Sequence, residues 1–239
     1  MKREDGKIYN LIYSYDSTVS SISRRKIPLR VIFPECKEDI VKIVKNSNKK
    51  GIPLYIRGSG SSVVGNSVPV ERGIIVSFEK MDKIKDISRI GRLITVEAGI
   101  TVEKANRYLK KYHLFIPGYP ASYKFSSIGG NLASNASGLL GIRYGILADY
   151  VKKLRVITGS GELLEIGYNA QRASIGNVLK DLLLPGGTFS FKFVPETLGL
   201  LPIEKKVYEY TYQFDTSNAV LRFINGIYGK GILPIKMEI

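Results

Sequence analysis

The sequence predicts an α+β fold of two subdomains, residues 1–115 and 116–203, followed by a short strand, helix, strand unit over residues 204–239. Three observations carry this expectation. Residues 29–56 join an apolar β-branched run, a stretch of helical periodicity and a second β-branched run, the pattern of a βαβ unit. Residues 116–150 turn to Gly, Ser, Ala, Asn and Pro with little net charge. Gly159-Ser160-Gly161 then separates two apolar runs as a hairpin turn does. A chain of 239 residues is long enough to bury a full core in more than one subdomain.

The elements follow in order. Leu29 to Phe33 is apolar and β-branched, and Pro34 closes it as a strand. From Asp39, the residues Ile40, Val41, Ile43 and Val44 recur at helical spacing, and Gly51 stands where a C-cap glycine belongs. Ile52 to Ile56 reads as the second strand. Beyond a glycine-rich loop come strands at Gly73 to Phe78, Lys83 to Ser88 and Leu93 to Ala98, the last two forming a hairpin about Arg89 to Arg92. Thr101 caps a helix with Val102, Ala105, Tyr108, Leu109 and Tyr112 on one face, ending near His113. After the small-residue region, Val151 to Thr158 and Glu162 to Ile166 form the second hairpin. Lys206 to Phe214, Ser217 to Tyr228 and Ile232 to Ile239 read as strand, helix and strand.

Composition narrows the function. Hydrophobic residues make up 44% and charged residues 24%, ordinary for a folded soluble protein. No stretch approaches the roughly 18 apolar residues of a membrane helix. The charged start, Met1 to Gly6, leads to no apolar segment of a secretory signal, so the cytoplasm is the expected location. Cys36 is the single cysteine, which excludes an intrachain disulfide and any cysteine-rich metal site made by this chain alone; it reads as a buried, inert thiol, and no metal is expected. The net charge of +15 invites a nucleic-acid partner. Its basic pairs, among them Lys49-Lys50, Lys110-Lys111 and Lys152-Lys153, are scattered over helix ends and turns, which favours a solvated surface and no nucleic acid. Richness in Lys, Ile and Tyr suits a heat-adapted protein.

Two constellations carry chemistry. The first, Arg57-Gly58-Ser59-Gly60-Ser61-Ser62-Val63-Val64-Gly65-Asn66, follows a predicted strand. Glycines let successive N–H groups curl around an anion, hydroxyls add donors and Arg57 adds charge, although a surface loop has the same composition. Asn66 stands where a Walker A lysine must reach the phosphates, so that reading fails; Val63 in place of the third glycine argues against a dinucleotide fingerprint. The second constellation, Ser126 to Gly138 with Gly129, Gly130, Asn131, Ala133 and Ala136, is followed by Tyr144-Gly145 and Asp149-Tyr150-Val151. Small residues let backbone lie against a large planar or phosphorylated ligand, and the density of amides and hydroxyls exceeds what helix packing requires.

These motifs resemble the FAD-binding domain shared by vanillyl-alcohol oxidase, D-lactate dehydrogenase and glycolate oxidase, and the resemblance runs from about Leu29 to Pro202. It implies an α+β, two-subdomain FAD-binding fold of the vanillyl-alcohol oxidase (PCMH) type with a rudimentary C-terminal cap. By that resemblance, Arg57, Gly58, Ser59, Gly60, Ser61, Ser62, Gly65 and Asn66 hold the FAD pyrophosphate. Tyr119, Pro120, Ser126, Ile128, Gly129, Gly130, Asn131, Ala133, Ala136, Gly138, Tyr144, Gly145 and Phe191 line the rest of the cofactor. Members that bind FAD covalently through the first loop carry a histidine after its Gly-x-Gly, where this chain has Ser61, so FAD is expected to be non-covalent.

The resemblance also implies oxidation of a small 2-hydroxy acid such as glycolate or D-lactate by hydride transfer to FAD. A noncatalytic FAD-binding or electron-transfer subunit is the alternative. The family's Gly-Ser-Glu-Gly-Thr-Leu-Gly is replaced by Leu184-Pro185-Gly186-Gly187-Thr188-Phe189-Ser190, which removes an acidic residue and affects the flavin-ring contacts expected of Gly187 to Phe191. The one histidine, His113, falls at a helix end and reads as a capping or surface residue. Tyr123, Lys124, Arg143 and Tyr144 suit a carboxylate substrate, but the residues single out no catalytic base. A partner subunit supplying a cap or an electron acceptor, through which the protein would lie peripheral to a membrane, is therefore expected.

Overall fold

The computed structural model of the chain describes residues 2–4, 6–19, 25–138, 140–168 and 192–238. Its first sheet contains β1 (Lys2–Glu4), β2 (Arg30–Phe33), β3 (Leu54–Arg57) and β4 (Ile74–Ser77), ordered β1-β2-β4-β3. β2 and β3 flank β4 in parallel, with Val31 and Tyr55 both in register with Ile75, and β1 joins antiparallel at the edge. The crossover from β2 to β3 is α2 (Lys37–Lys50), which lays Ile40, Ile43 and Val44 onto the core. Glu38 and Asp39 in its first turn and Lys49 and Lys50 in its last oppose the helix dipole. Gly51 ends it at φ 59°, a left-handed turn that glycine takes without strain. On the other side of the sheet, Val31, Phe33 and Ile75 pack with Tyr13 at the end of α1 (Lys7–Tyr13). Covered on both faces, β2 and β4 carry the continuous apolar runs of a buried parallel sheet.

The second sheet is antiparallel: β5 (Ile84–Ser88), β6 (Leu93–Val96), β8 (Val151–Ile157), β9 (Leu163–Gly167) and β10 (Lys192–Gly199), ordered β5-β6-β10-β8-β9. The two hairpins thus take the two edges, and β10, last of the five in the chain, closes the sheet between them. Strands on both sides of residue 115 share this sheet, and one continuous core runs from Ile32 through Val96, Leu109, Ile128 and Leu154 to Leu200. β7 (Leu114–Phe115) pairs with β11 (Leu201–Pro202) beside it.

α3 (Val102–Leu109) begins where Thr101 Oγ1 accepts the Lys104 N–H at 3.1 Å, continues as a 3-10 turn over Lys110–Tyr112, and ends at His113 with φ 55°. α4 (Ile128–Ala133) and α5 (Gly141–Tyr144) are short, and α6 (Ser217–Gly229) is capped by Thr216. No helix among the described residues is long and apolar enough to cross a membrane.

Two expectations are corrected. Lys206 to Phe214 and Ile232 to Glu238 form no strand, because neither has a neighbouring ladder among the described residues; Tyr208 and Tyr210 stand more than two-thirds exposed. Cys36 is exposed, since the chain has left the buried strand at Pro34 and Cys36 occupies the N-cap position of α2 at the surface.

Candidate cofactor site

The loop after β3 meets the start of α4, although the two lie some seventy residues apart in sequence. The Ser127 N–H donates to Ser59 Oγ at 3.1 Å. Ser127 in turn caps α4, its Oγ accepting the Gly130 N–H at 3.2 Å. A Cβ on Gly58 would overlap Ser127 Oγ, so glycine is needed there for the two segments to touch. Gly129 sits on the chain just beyond β6: its N–H bonds Ala98 O at 2.9 Å, and a Cβ would come 2.7 Å from Ala98 Cβ.

The loop then leaves donors unused. Ser62 Oγ accepts the N–H groups of Val64 and Asn66 at 3.3 Å each, and the Gly65 N–H donates to Thr18 Oγ1 at 2.6 Å. The N–H groups of Ser59, Gly60, Ser61 and Ser62, half-buried beside α4, find no acceptor among the described residues. Consecutive unsatisfied amides in a curled loop form an anion-binding concavity. By contrast the first N–H groups of α4 are consumed by Ile100 O, Ala98 O and Ser127 Oγ. The loop, and not the helix terminus, carries the free donors.

Arg57 departs from its expected part. The guanidinium is buried beneath the loop, with Nη1 donating to Tyr13 O at 3.4 Å and to Tyr15 O at 2.5 Å. It lies 5.0 Å from the Tyr13 ring, and burial lowers its pKa from the ordinary value. A Cβ on Gly60, where φ is +70°, would overlap this guanidinium. Arg57 is therefore a floor that the glycine accommodates, and its charge serves carbonyls instead of extending into the cradle.

The second constellation lies against the same helix. Ser126 Oγ and Asn131 Nδ2 are buried and have no partner among the described residues, stranded donors of the kind a ligand would satisfy. The Ala136 N–H folds back to Asn131 O at 2.8 Å through Asn135 at φ 49°. A Cβ on Gly138 would overlap Tyr119 O and approach Pro120, so the backbone at Gly138 runs flush against Tyr119-Pro120. Ile128 is fully buried with its N–H already bonded, and Ala133 packs on the core, so both act as support beneath the segment. Gly145, at φ +69°, has no room for a Cβ beside Asp149.

An aromatic wall continues the site. Tyr119 and Tyr123 rings lie 5.0 Å apart, and Tyr144 meets Phe115 edge-on at 5.6 Å. Burial, then neighbouring Tyr123, raises the Tyr119 pKa, and burial followed by Glu204 raises that of Tyr144, so both phenols remain O–H donors. Glu204 Oε1 holds Arg143 at 3.2 Å and accepts from Tyr144 at 3.3 Å, giving Arg143 an acidic partner already. His113 is exposed at its left-handed cap and its carbonyl accepts the Ile203 N–H at 2.9 Å. Phe191 and the Leu184 to Ser190 motif lie outside the described residues.

Sequence reasoning missed the segment before β2. Tyr13, Tyr15, Asp16 and Thr18 all bond the loop or its flank. The signal was the run Asp16-Ser17-Thr18, residues whose side chains bond nearby backbone and so mark a turn.

The residues present fit FAD: a row of free amides for its phosphates, stranded donors on Ser126 and Asn131, and backbone made flush by glycines for a broad planar group. Comparison with known proteins gives the same result. Two solved alkyldihydroxyacetonephosphate synthase structures superpose over 98% of the chain with TM-scores of 0.85 and 0.86, at 20% and 22% identity, covering 44% and 45% of those chains. A glycolate oxidase subunit of Bacillus subtilis is 29% identical over 98% of the chain and 49% of its own length. A D-lactate dehydrogenase of Archaeoglobus fulgidus is 26% identical over 95% of the chain and 51% of its own length. The chain spans about half the length of these curated relatives. The family described as "FAD binding domain" matches residues 28–167, more than half of the 239. This chain therefore belongs to the FAD-binding domain family, with the PCMH-type α+β fold and with FAD, held non-covalently, as its cofactor.

Proposed function

We propose that the chain is the FAD-binding part of an oxidoreductase that oxidises a small 2-hydroxy acid, such as glycolate or D-lactate, and that a partner subunit completes the substrate site or receives the electrons. The observation that supports this most directly is the meeting of the loop amides of Ser59 to Ser62 with the stranded donors of Ser126 and Asn131 beside one short helix. Relatives named as a glycolate oxidase subunit and D-lactate dehydrogenases supply the substrate class, and the word subunit in the first supplies the partner.

FAD, when bound, supplies the acceptor for hydride leaving the substrate α-carbon. The chain's residues do the rest by placement. Ser59 to Ser62 hold the phosphates through main-chain donors, which need no side-chain rearrangement and so are ready before binding. Gly58, Gly60 and Gly65 let the loop curl, with Asn66 at its end; Gly129 seats α4 on Ala98, and Gly130, Ala136 and Gly138 are the small residues we assign to the surface facing the cofactor. Tyr119, Pro120, Tyr144 and Gly145 extend that surface toward Arg143, Tyr123 and Lys124, and Phe191, outside the described residues, is a further cofactor contact that the resemblance implies. Arg143 is the cation we assign to an incoming carboxylate, which would compete with Glu204 for it.

The second reading, a noncatalytic FAD-binding or electron-transfer subunit, is favoured by the lone histidine standing exposed at a helix end. One experiment separates the two. The visible spectrum of the purified protein is recorded before and after acid precipitation, and glycolate and D-lactate are then added without oxygen. Flavin bands that pass to the supernatant and are bleached by either acid support the oxidase reading. Bands that neither acid bleaches, with candidate partner added, favour the noncatalytic one. A protein that cannot be loaded with FAD contradicts both.

A further inference from the structure

The segment from Tyr13 to Thr18 has no part in either constellation, yet it is bound to the first of them and its flank through Tyr13, Tyr15, Asp16 and Thr18. Arg57 Nη1 reaches the carbonyls of Tyr13 and Tyr15. Tyr13 Oη donates to Glu79 Oε2 at 2.9 Å, and Glu79 Oε1 accepts Ser77 Oγ at 3.1 Å, which fixes the segment to the end of β4. Asp16 divides its carboxylate, Oδ1 accepting the Thr18 N–H at 2.9 Å and Oδ2 accepting Ser67 Oγ at 3.1 Å. Thr18 Oγ1 accepts the Gly65 N–H at 2.6 Å and donates to Ser62 O at 3.4 Å.

The place of that last pair matters. The amides of Ser59 to Val63 have no acceptor among the described residues, and those of Val64, Gly65 and Asn66 are spent on Ser62 Oγ and Thr18 Oγ1. Thr18 grips the turn on both sides, at the Ser62 carbonyl within the free row and at the Gly65 amide in the folded part. N–H dipoles gathered around one anion-binding concavity repel one another, and Gly60 and Gly65, both at positive φ, let the backbone turn away from that arrangement cheaply. An outside anchor is needed to keep the amides aligned before an anion arrives.

We infer that Thr18 is a positioning residue for the cofactor: with its backbone N–H held by Asp16, its hydroxyl clamps the Ser62 to Gly65 turn so that the amides of Ser59 to Ser62 stay directed at the FAD phosphates. This rests on the reading of those amides as the phosphate cradle. The clamp does not touch FAD, and its loss acts through loop order.

The test uses the full chain and measures FAD affinity from flavin fluorescence for wild type, Thr18→Val, Thr18→Ser and Gly58→Val. Removing one such bond corresponds to roughly a five- to tenfold rise in Kd, expected for Thr18→Val, with recovery to near wild type in Thr18→Ser and an unchanged circular dichroism spectrum. Wild-type affinity in Thr18→Val alongside lost retention in Gly58→Val overturns the inference and spares the loop. Wild-type affinity in both overturns the loop assignment and the inference with it. Amide exchange at Gly65 in the FAD-free wild-type protein gives a second measure that needs no variant. Slow exchange is expected, and exchange as fast as in a free peptide removes the clamp.

Discussion

Glu196 lies on β10, the middle strand of the second sheet, opposite Val96. It is fully buried, and neither carboxylate oxygen has a partner among the described residues. Desolvation pushes its pKa from the ordinary 4.5 up to about 8. An ionised carboxylate there would be stranded, so the native state keeps the proton that the unfolded chain releases. By linkage, stability is greatest below about pH 4.5, falls as pH rises toward 8 because unfolding then releases a proton, and is level beyond. A tenfold difference in proton affinity corresponds to about 1.4 kcal/mol, so the fall amounts to a few kcal/mol, a large part of a typical domain's stability. Glu196→Gln should flatten this slope, which urea unfolding near pH 5 and near pH 9 would measure. Parallel losses in variant and wild type would show that another group is responsible. Gly58 and Gly60 illustrate the same scale for the site. Both were legible as glycines that make room, but for the phosphate, whereas the room is taken by Ser127 and by Arg57. A sequence shows that a Cβ is missing and does not show which neighbour fills its place.

At the scale of elements, α4 is the hinge between core and cofactor. Six residues long, it has little helical stability of its own and depends on what it packs against. Ile128 and Leu132 are sunk in the core, Gly129 rests on Ala98, and Asn131 Nδ2 is buried with no partner among the described residues. Gly129→Ala sets two effects against each other. Alanine improves helix propensity by about 1 kcal/mol. Its methyl group would meet Ala98 Cβ at 2.7 Å and Ala98 O at 3.0 Å, backbone and near-backbone atoms that cannot rotate away, and overpacking of this kind costs roughly 1–3 kcal/mol. The clash should win, lowering the urea midpoint and weakening FAD as α4 lifts from β6; a midpoint at or above wild type would mean that the helix shifts freely. The longer elements were more readable. α2 and α3 announced themselves by apolar periodicity and by caps at Gly51 and Thr101, because their faces meet one core. The strands expected over 206–214 and 232–239 had the right composition without a ladder partner among the described residues, and composition alone does not make a strand.

For the whole molecule, what the sequence could not show was the joining of distant parts. Local patterns gave the βαβ unit and both hairpins, but the insertion of β10 between β6 and β8 depends on pairing with β6 about a hundred residues away. One such contact is the 2.9 Å bond between Thr95 Oγ1 and Thr197 Oγ1. The candidate site was legible as two motifs, and the third segment, Tyr13 to Thr18, was not, since its residues bond loop backbone and carry no motif of their own. These long-range links have a thermodynamic consequence. The cradle takes Ser59 to Ser62 from the edge of the first sheet and Ser126 to Asn131 from a helix resting on the second, and one continuous core underlies both. FAD bound across them should stabilise the two sheets together, so heat should unfold the loaded protein in a single transition. At FAD a hundredfold above its Kd the stabilisation is about 2.7 kcal/mol. For a chain of this size that is a rise in Tm of roughly 5–10 °C. Scanning calorimetry with and without added FAD measures it. A single peak displaced upward supports a cradle shared by both sheets, and because the free amides belong to the first sheet's loop while the stranded donors belong to α4, a peak that splits, with one part unmoved by FAD, would assign the cofactor to one sheet alone.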